Sequence, residues 1–108
     1  MAEIFSMNDY NEIINGDKPV LLDFYAEWCG PCQALLPVVN DLAKEHEDNF
    51  VIAKVNVDKN RELAFKYGVR SIPALFFVKD GEVQEKLVGL QTKSDLKTKI
   101  KSYLPQTV

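Results

Sequence analysis

The sequence predicts an α/β fold, a mixed sheet with helices on both faces, and three observations carry that prediction. Val20 to Ala26 is a continuous apolar run broken only by Asp23, the pattern of a strand buried on both sides. A helix-length stretch separates it from a second such run, Phe50 to Val57, broken only by Lys54 and Asn56, so strand, helix and strand read as a right-handed βαβ unit with parallel strands. Asp80-Gly81 lies between Ala74 to Val78 and Val83 to Val88, and this dipeptide is the strongest short hairpin signal, so that half of the sheet reads as antiparallel. At 108 residues, 46% of them hydrophobic, the chain suits one domain, residues 1–108, with its own core.

Taken in order, Ile4 and Phe5 read as a short first strand. Ser6 with Asp9 makes a capping pair ahead of Tyr10, Ile13 and Ile14 at helical spacing, and Gly16 stops that helix. After the Val20 to Ala26 strand, Leu35, Val38, Val39 and Leu42 recur at helical spacing between Pro31 and His46, with Asn40, Asp41, Lys44 and Glu45 on the other side. Pro37 removes one backbone hydrogen bond from this helix, which predicts a kink. Beyond the Phe50 to Val57 strand, Asn60 to Tyr67 is a short helix with Leu63, Ala64 and Tyr67 on one side and Gly68 as its terminator. The hairpin follows. Thr92 with Asp95 then caps a last helix that turns Leu96, Ile100, Tyr103 and Leu104 inward and Lys97, Lys99 and Lys101 outward, stopped by Pro105. Those lysines read as a solvated face, with a docking patch as the alternative.

The formal net charge of −3 leaves no broad basic field to hold nucleic acid or an anionic membrane. No run approaches the length of a membrane span. Met1-Ala2-Glu3-Ile4-Phe5 lacks a basic segment followed by an apolar stretch, so it does not resemble a secretory signal, although a processed chain would read the same. Both features favour the cytoplasm, where a CxxC near a βαβ pattern reads as a redox motif and not as a fixed bridge.

That motif is Cys29-Gly30-Pro31-Cys32, at the junction between the first buried strand and the helix after it. A disulfide closing so small a loop contributes only about 2 kcal/mol, which makes it a poor staple. At a strand-to-helix turn, the helix N-terminus stabilises a nearby thiolate, which suits a pair that switches between dithiol and disulfide. Cys29 sits where that field is strongest and reads as the nucleophile. Cys32, about one turn inward, reads as the resolving thiol. Pro31 fits the first helical turn because it has no N–H to leave unsatisfied, and Gly30 permits a tight approach to Cys29. A structural zinc site needs four ligands, and only His46 is on offer besides the two thiols, so no metal is expected. A purely structural disulfide, or two idle thiols, are the remaining alternatives.

Asp23 is the most informative polar residue outside the motif. A carboxylate inside a buried strand is expensive and is either paired or has a raised pKa. Lys54 interrupts the second run in the same way, and if the two strands are neighbours the groups lie near each other beneath the turn bearing Cys32. Asp23 then takes the proton of Cys32, directly or through water, with Lys54 modulating its pKa. A structural ion pair, or a strand-end Asp in water, is the alternative. Ser71-Ile72-Pro73-Ala74 puts a proline at the start of a strand, with a trans bond as the default. Trp28 reads as loop packing or as a flat apolar surface for a partner, and Gly89 as the end of a strand or a point where a partner backbone approaches.

Phe24, Ala26 and Trp28-Cys29-Gly30-Pro31-Cys32 resemble the active-site signature of the thioredoxin family, and Asp23, Pro37, Lys54, Ile72-Pro73, Gly81 and Gly89 fall at family positions in the right order. The likeness runs from about Phe5 to Leu104; the tail Pro105 to Val108 lies beyond it. It implies the thioredoxin fold, a central mixed five-stranded sheet flanked by four helices, with Cys29 attacking a substrate disulfide and Cys32 releasing the reduced product. It implies further that Pro73 is cis and that Trp28, Ile72, Pro73 and Gly89 form an apolar groove for the substrate chain. The activity implied is that of a monomeric protein-disulfide reductase that needs no bound cofactor, is re-reduced by a thioredoxin reductase and acts on disulfide-containing client proteins. An oxidase or isomerase on the same fold, a non-catalytic binding subunit and a scaffold-bound metal protein are the rivals. Ala74, Gln33 and Tyr25 depart from the commonest family pattern, and Gln33 removes a positive charge that would favour the Cys29 thiolate.

Overall fold

Val20–Tyr25 forms a strand in which all six residues are buried, and it sits at the centre of the sheet. The computed structural model describes residues 1–105; residues 106–108 of the tail lie outside the described residues. The elements run β1 (Ala2–Ile4), α1 (Met7–Ile14), β2 (Val20–Tyr25), α2 (Gly30–Glu45), β3 (Val51–Asn56), α3 (Arg61–Lys66), β4 (Ala74–Lys79), β5 (Glu82–Val88) and α4 (Lys93–Ser102). Strand order is β1-β3-β2-β4-β5, with β3 parallel to β1 and β2, and β4 antiparallel to β2 and β5. The mixed five-stranded sheet and four helices are those the sequence predicts.

Side-chain alternation along β2 sorts the core into two layers. Val20, Leu22 and Phe24 join Tyr10 of α1 and Leu63 of α3 on one face. Leu21 joins Leu35, Val39 and Leu42 of α2 and Leu96 and Ile100 of α4 on the other. Phe24, Tyr67 and Phe76 meet with ring centres 4.9 to 5.4 Å apart, within the range of favourable aromatic pairs. Burying a side chain the size of Phe24 contributes roughly 2–3 kcal/mol, so a central strand with no exposed residue anchors the turn that follows it.

Local signals place most boundaries. The Ser6 hydroxyl accepts the Asp9 N–H at 3.1 Å, and the Thr92 hydroxyl accepts the Asp95 N–H at 3.1 Å. Asp80 and Gly81 both have positive φ, 53° and 76°, as the tight turn between β4 and β5 requires. Pro37 lies inside α2 without ending it. Two expectations need correction. Phe5 is not in β1: its N–H donates to the Asp9 carboxylate at 2.9 Å, so the capping of α1 draws the chain out of the sheet and leaves the ring 72% exposed. Lys99 is not simply solvated, because its ammonium lies 2.7 Å from Glu85 of β5, which also accepts the Tyr103 hydroxyl at 2.8 Å.

Candidate active site

β2 ends at Tyr25, and four residues later Cys29 forms the N-cap of α2 in extended conformation (φ −91°, ψ 109°). The Cys29 Sγ accepts the backbone N–H of Cys32 at 3.2 Å, taking the place a serine or aspartate oxygen holds at most helix starts. Pro31 occupies the first turn, where a missing N–H costs nothing. Cys29 and Cys32 are joined by a disulfide with their Cα atoms 5.2 Å apart. Cys32 is fully buried and Cys29 is 6% exposed, so of the two cysteines only Cys29 has any contact with solvent. Reduction therefore leaves at position 29 a sulfur facing a backbone N–H and the positive end of a helix, both of which favour its thiolate.

Asp23 lies on the face of β2 that α2 covers, between Leu21, packed against α2, and Tyr25, packed with Cys32. It is fully buried, and neither carboxyl oxygen has a hydrogen-bond partner. Burial pushes its carboxyl up to about 7, against the charge of Lys54, which pulls it down. A strand-end carboxylate in water does not describe this residue. Lys54 is directly in register with Asp23 on the neighbouring strand, as the sequence suggests. Its ammonium, however, is not spent on an ion pair with Asp23; it lies 3.5 Å from Glu3 of β1.

The Ile72–Pro73 bond is cis, as the family resemblance implies and against the local default. The Ile72 carbonyl oxygen lies 3.8 Å from the Cys29 sulfur. Pro73 is tied to Gly89 through a 2.8 Å bond from the Gly89 N–H to the Pro73 carbonyl, and Gly89 has φ 92° with nothing within 4 Å of where a Cβ would lie. Trp28 is 72% exposed, and its indole N–H donates to Asp58 at 2.8 Å, so the ring is a surface held in place and not loop packing. Trp28 and Ile72 line one depression of about 160 Å³ together with Val57, Val69 and Arg70. Of the residues singled out in the sequence, Ile72 packs against the cysteine pair and Gly89 is tied to Pro73, the residue after Ile72, whereas the Lys54 ammonium turns to Glu3. Asp58, Val57, Val69 and Arg70 carry no such mark in the sequence. Nothing local marks them, since they reach the site only through the packing of β3 and the loop before β4. Gln33 donates its side-chain amide to the Ala26 carbonyl at 3.3 Å, bracing the turn without supplying a charge. No group of three or more His, Cys, Asp or Glu that could hold a metal ion occurs among the described residues, and no described helix is long and apolar enough to cross a membrane.

Comparison with known proteins bears on the same residues. The family model described as Thioredoxin matches residues 2–102. The thioredoxin of Porphyra purpurea is 44% identical over 104 residues, 96% of this chain and 97% of that one, and the thioredoxin of Chlorobaculum thiosulfatiphilum is 43% identical over 102 residues, 94% of each. Among solved structures, a mutant thioredoxin from Halobacterium salinarum matches with a TM-score of 0.90 at 41% identity, covering 99% of this chain and 93% of that one. A cysteine pair that heads a helix on this sheet defines a thiol-disulfide oxidoreductase. The chain belongs to the thioredoxin family and is a protein-disulfide reductase. A reductase as electron donor and disulfide-bearing proteins as clients follow from that membership.

Proposed function

We propose that Cys29 is the attacking sulfur and Cys32 the resolving one. The Cys29 thiolate attacks one sulfur of a client disulfide, forming a mixed disulfide and expelling the other client sulfur as a thiolate, which takes up a proton. Cys32 then gives its proton to Asp23, and its thiolate attacks the Cys29 sulfur. The Cys29–Cys32 disulfide forms, the second client sulfur leaves as a thiolate that takes up a proton, and two electrons have passed from the enzyme to the client. A reductase, by family a thioredoxin reductase, returns them. The observation that carries this assignment is the bond from the Cys32 N–H to the Cys29 Sγ, which favours the thiolate at position 29.

Asp23 suits the proton transfer because a carboxyl pushed up to about 7 is part ionised at neutral pH and can accept. Lys54 keeps that carboxyl from rising further. Trp28, Ile72, Pro73 and Gly89 form the groove that receives the client chain, with the exposed Trp28 ring as its apolar wall. One monomeric domain spanning residues 1–108, working in the cytoplasm, is the form in which the protein acts.

The test is a trapping experiment in cell extract. Cys32→Ser accumulates client adducts through Cys29, and Cys29→Ser accumulates none and fails to reduce insulin. Alkylation of the reduced protein near neutral pH labels Cys29 first. Labelling of Cys32 first, or a Cys32→Ser protein that traps nothing, would overturn the assignment.

A further inference from the structure

Glu3, Lys54 and Asp23 make one row of charged residues across three strands. Lys54 of β3 is in register with Glu3 of β1 on one side and with Asp23 of β2 on the other. In-register residues of neighbouring strands project to the same face, so the row faces α2 and continues through Leu75 of β4. A single cation stands between two carboxyl groups, and the arrangement gives it to the outer one. The Lys54 ammonium lies 3.5 Å from Glu3 Oε1, whereas both oxygens of Asp23 lack a hydrogen-bond partner.

That choice is reinforced by Tyr25, two residues along β2 from Asp23. Its hydroxyl donates to Glu3 Oε2 at 2.7 Å, and the Lys54 ammonium lies 5.6 Å from its ring centre, within cation–π range. Glu3 thus uses one oxygen to hold Tyr25 and the other to hold Lys54. The side chains of Glu3 and Lys54 are 25% and 27% exposed, so the pair sits at the rim of the row while Asp23 is sealed within.

We infer that Glu3 is a positioning residue: by holding Lys54 at the rim it sets how readily Asp23 keeps a proton, and with it the pH at which Cys32 is resolved. The second half of that statement rests on the reading of Asp23 as proton acceptor. The groups that face Asp23 are few. β3 supplies Lys54, β2 supplies Tyr25 and α2 supplies Cys32. β4 contributes Leu75, in register with Asp23; the buried residues of α4 on this side of the sheet, Leu96 and Ile100, are apolar, and the charged residues of α2, Asp41, Lys44 and Glu45, are exposed. Lys54 is therefore the charge on which the proton affinity of Asp23 turns, and Glu3 is its counterion.

The experiment follows the Asp23 carboxyl by carbon NMR through a pH titration of the oxidised protein, in the parent, E3Q, K54M and E3Q/K54M. The amide oxygen of E3Q still accepts the Tyr25 hydroxyl, so the charge changes while the framework stays. E3Q is expected to move the Asp23 midpoint down by roughly half a pH unit or more, because Lys54 is freed to favour the carboxylate. In the K54M background most of that displacement is expected to vanish. The release of thionitrobenzoate from its mixed disulfide with Cys29, the resolving step in isolation, is expected to shift its pH profile by the same amount. An unmoved or raised midpoint in E3Q, or an undiminished displacement without Lys54, would overturn the inference. A midpoint that moves while the release profile stays put upholds the link between Glu3 and Asp23 and sinks the role of Asp23 in resolution.

Discussion

Asp23 is a carboxyl with no hydrogen-bond partner in the centre of a sheet, and its effect on stability has a definite sign. Its ordinary value of 3.8 rises to about 7 on folding, chiefly through burial. The folded chain therefore holds that proton more tightly than the unfolded one. Below about pH 4 both forms are protonated and the folded state carries no penalty for the charge. Between about pH 4 and 7 the unfolded chain ionises first, so stability falls as pH rises, and above about 7 the full cost is present. At about 1.4 kcal/mol for each pH unit, that cost is on the order of 4 kcal/mol. Asp23→Asn is thus expected to match the parent near pH 4 and to exceed its unfolding free energy at pH 8 by an amount of that order. Urea unfolding at the two pH values checks this, and parallel curves would show that the carboxyl is not burdened. The same substitution slows the resolving step if the proton goes to Asp23, so stability and turnover move in opposite directions.

At the scale of elements, what could be read from the chain was what neighbours in sequence decide. The buried runs of β2 and β3, the caps at Ser6 and Thr92 and the Asp80-Gly81 turn all follow from spacing of two, three or four residues. Pairings between distant segments were not legible. Glu3 gave no sign that it would hold Lys54, nor Asp58 that it would brace Trp28, because each contact exists only once β1, β3 and the turn before α2 have docked. The isomer of the Ile72–Pro73 bond belongs with these, since local preference gave trans and only the family resemblance gave cis. The β4–β5 turn supplies a prediction of the local kind. Gly81 has φ 76°, and nothing lies within 4 Å of a Cβ placed there, so the cost of Gly81→Ala is conformational and not steric. It should destabilise by roughly 1–2 kcal/mol, read as a lower urea midpoint. Insulin reduction should stay at the parent rate, because the turn lies at the opposite end of β4 from Pro73. A neutral Gly81→Ala would mean the turn relaxes to another form.

For the molecule as a whole, stability rests on two layers on opposite faces of one sheet, with the cysteines in a third, smaller cluster. Leu96 of α4 is fully buried in the layer with Leu42, Leu75 and Phe77. Leu96→Ala is expected to cost roughly 2–5 kcal/mol, measured by thermal or urea unfolding. The Cys29 alkylation rate should be unchanged at temperatures where the fold persists, since Cys29 packs in a separate cluster with Tyr25, Ala26 and Cys32. A slowed alkylation would show that the layer also shapes the thiol site. The strand order carries a further consequence. β2 is flanked by β3 and β4, while β1 and β5 take the two edges. Main-chain N–H groups at the margins should trade protons with solvent first, and those of Leu21 to Phe24 last, so fluctuations that open the rim leave the platform beneath the sulfurs closed. The redox turn thus stands on the part of the backbone slowest to breathe, and repeated cycling between dithiol and disulfide need not disturb the frame that aims it.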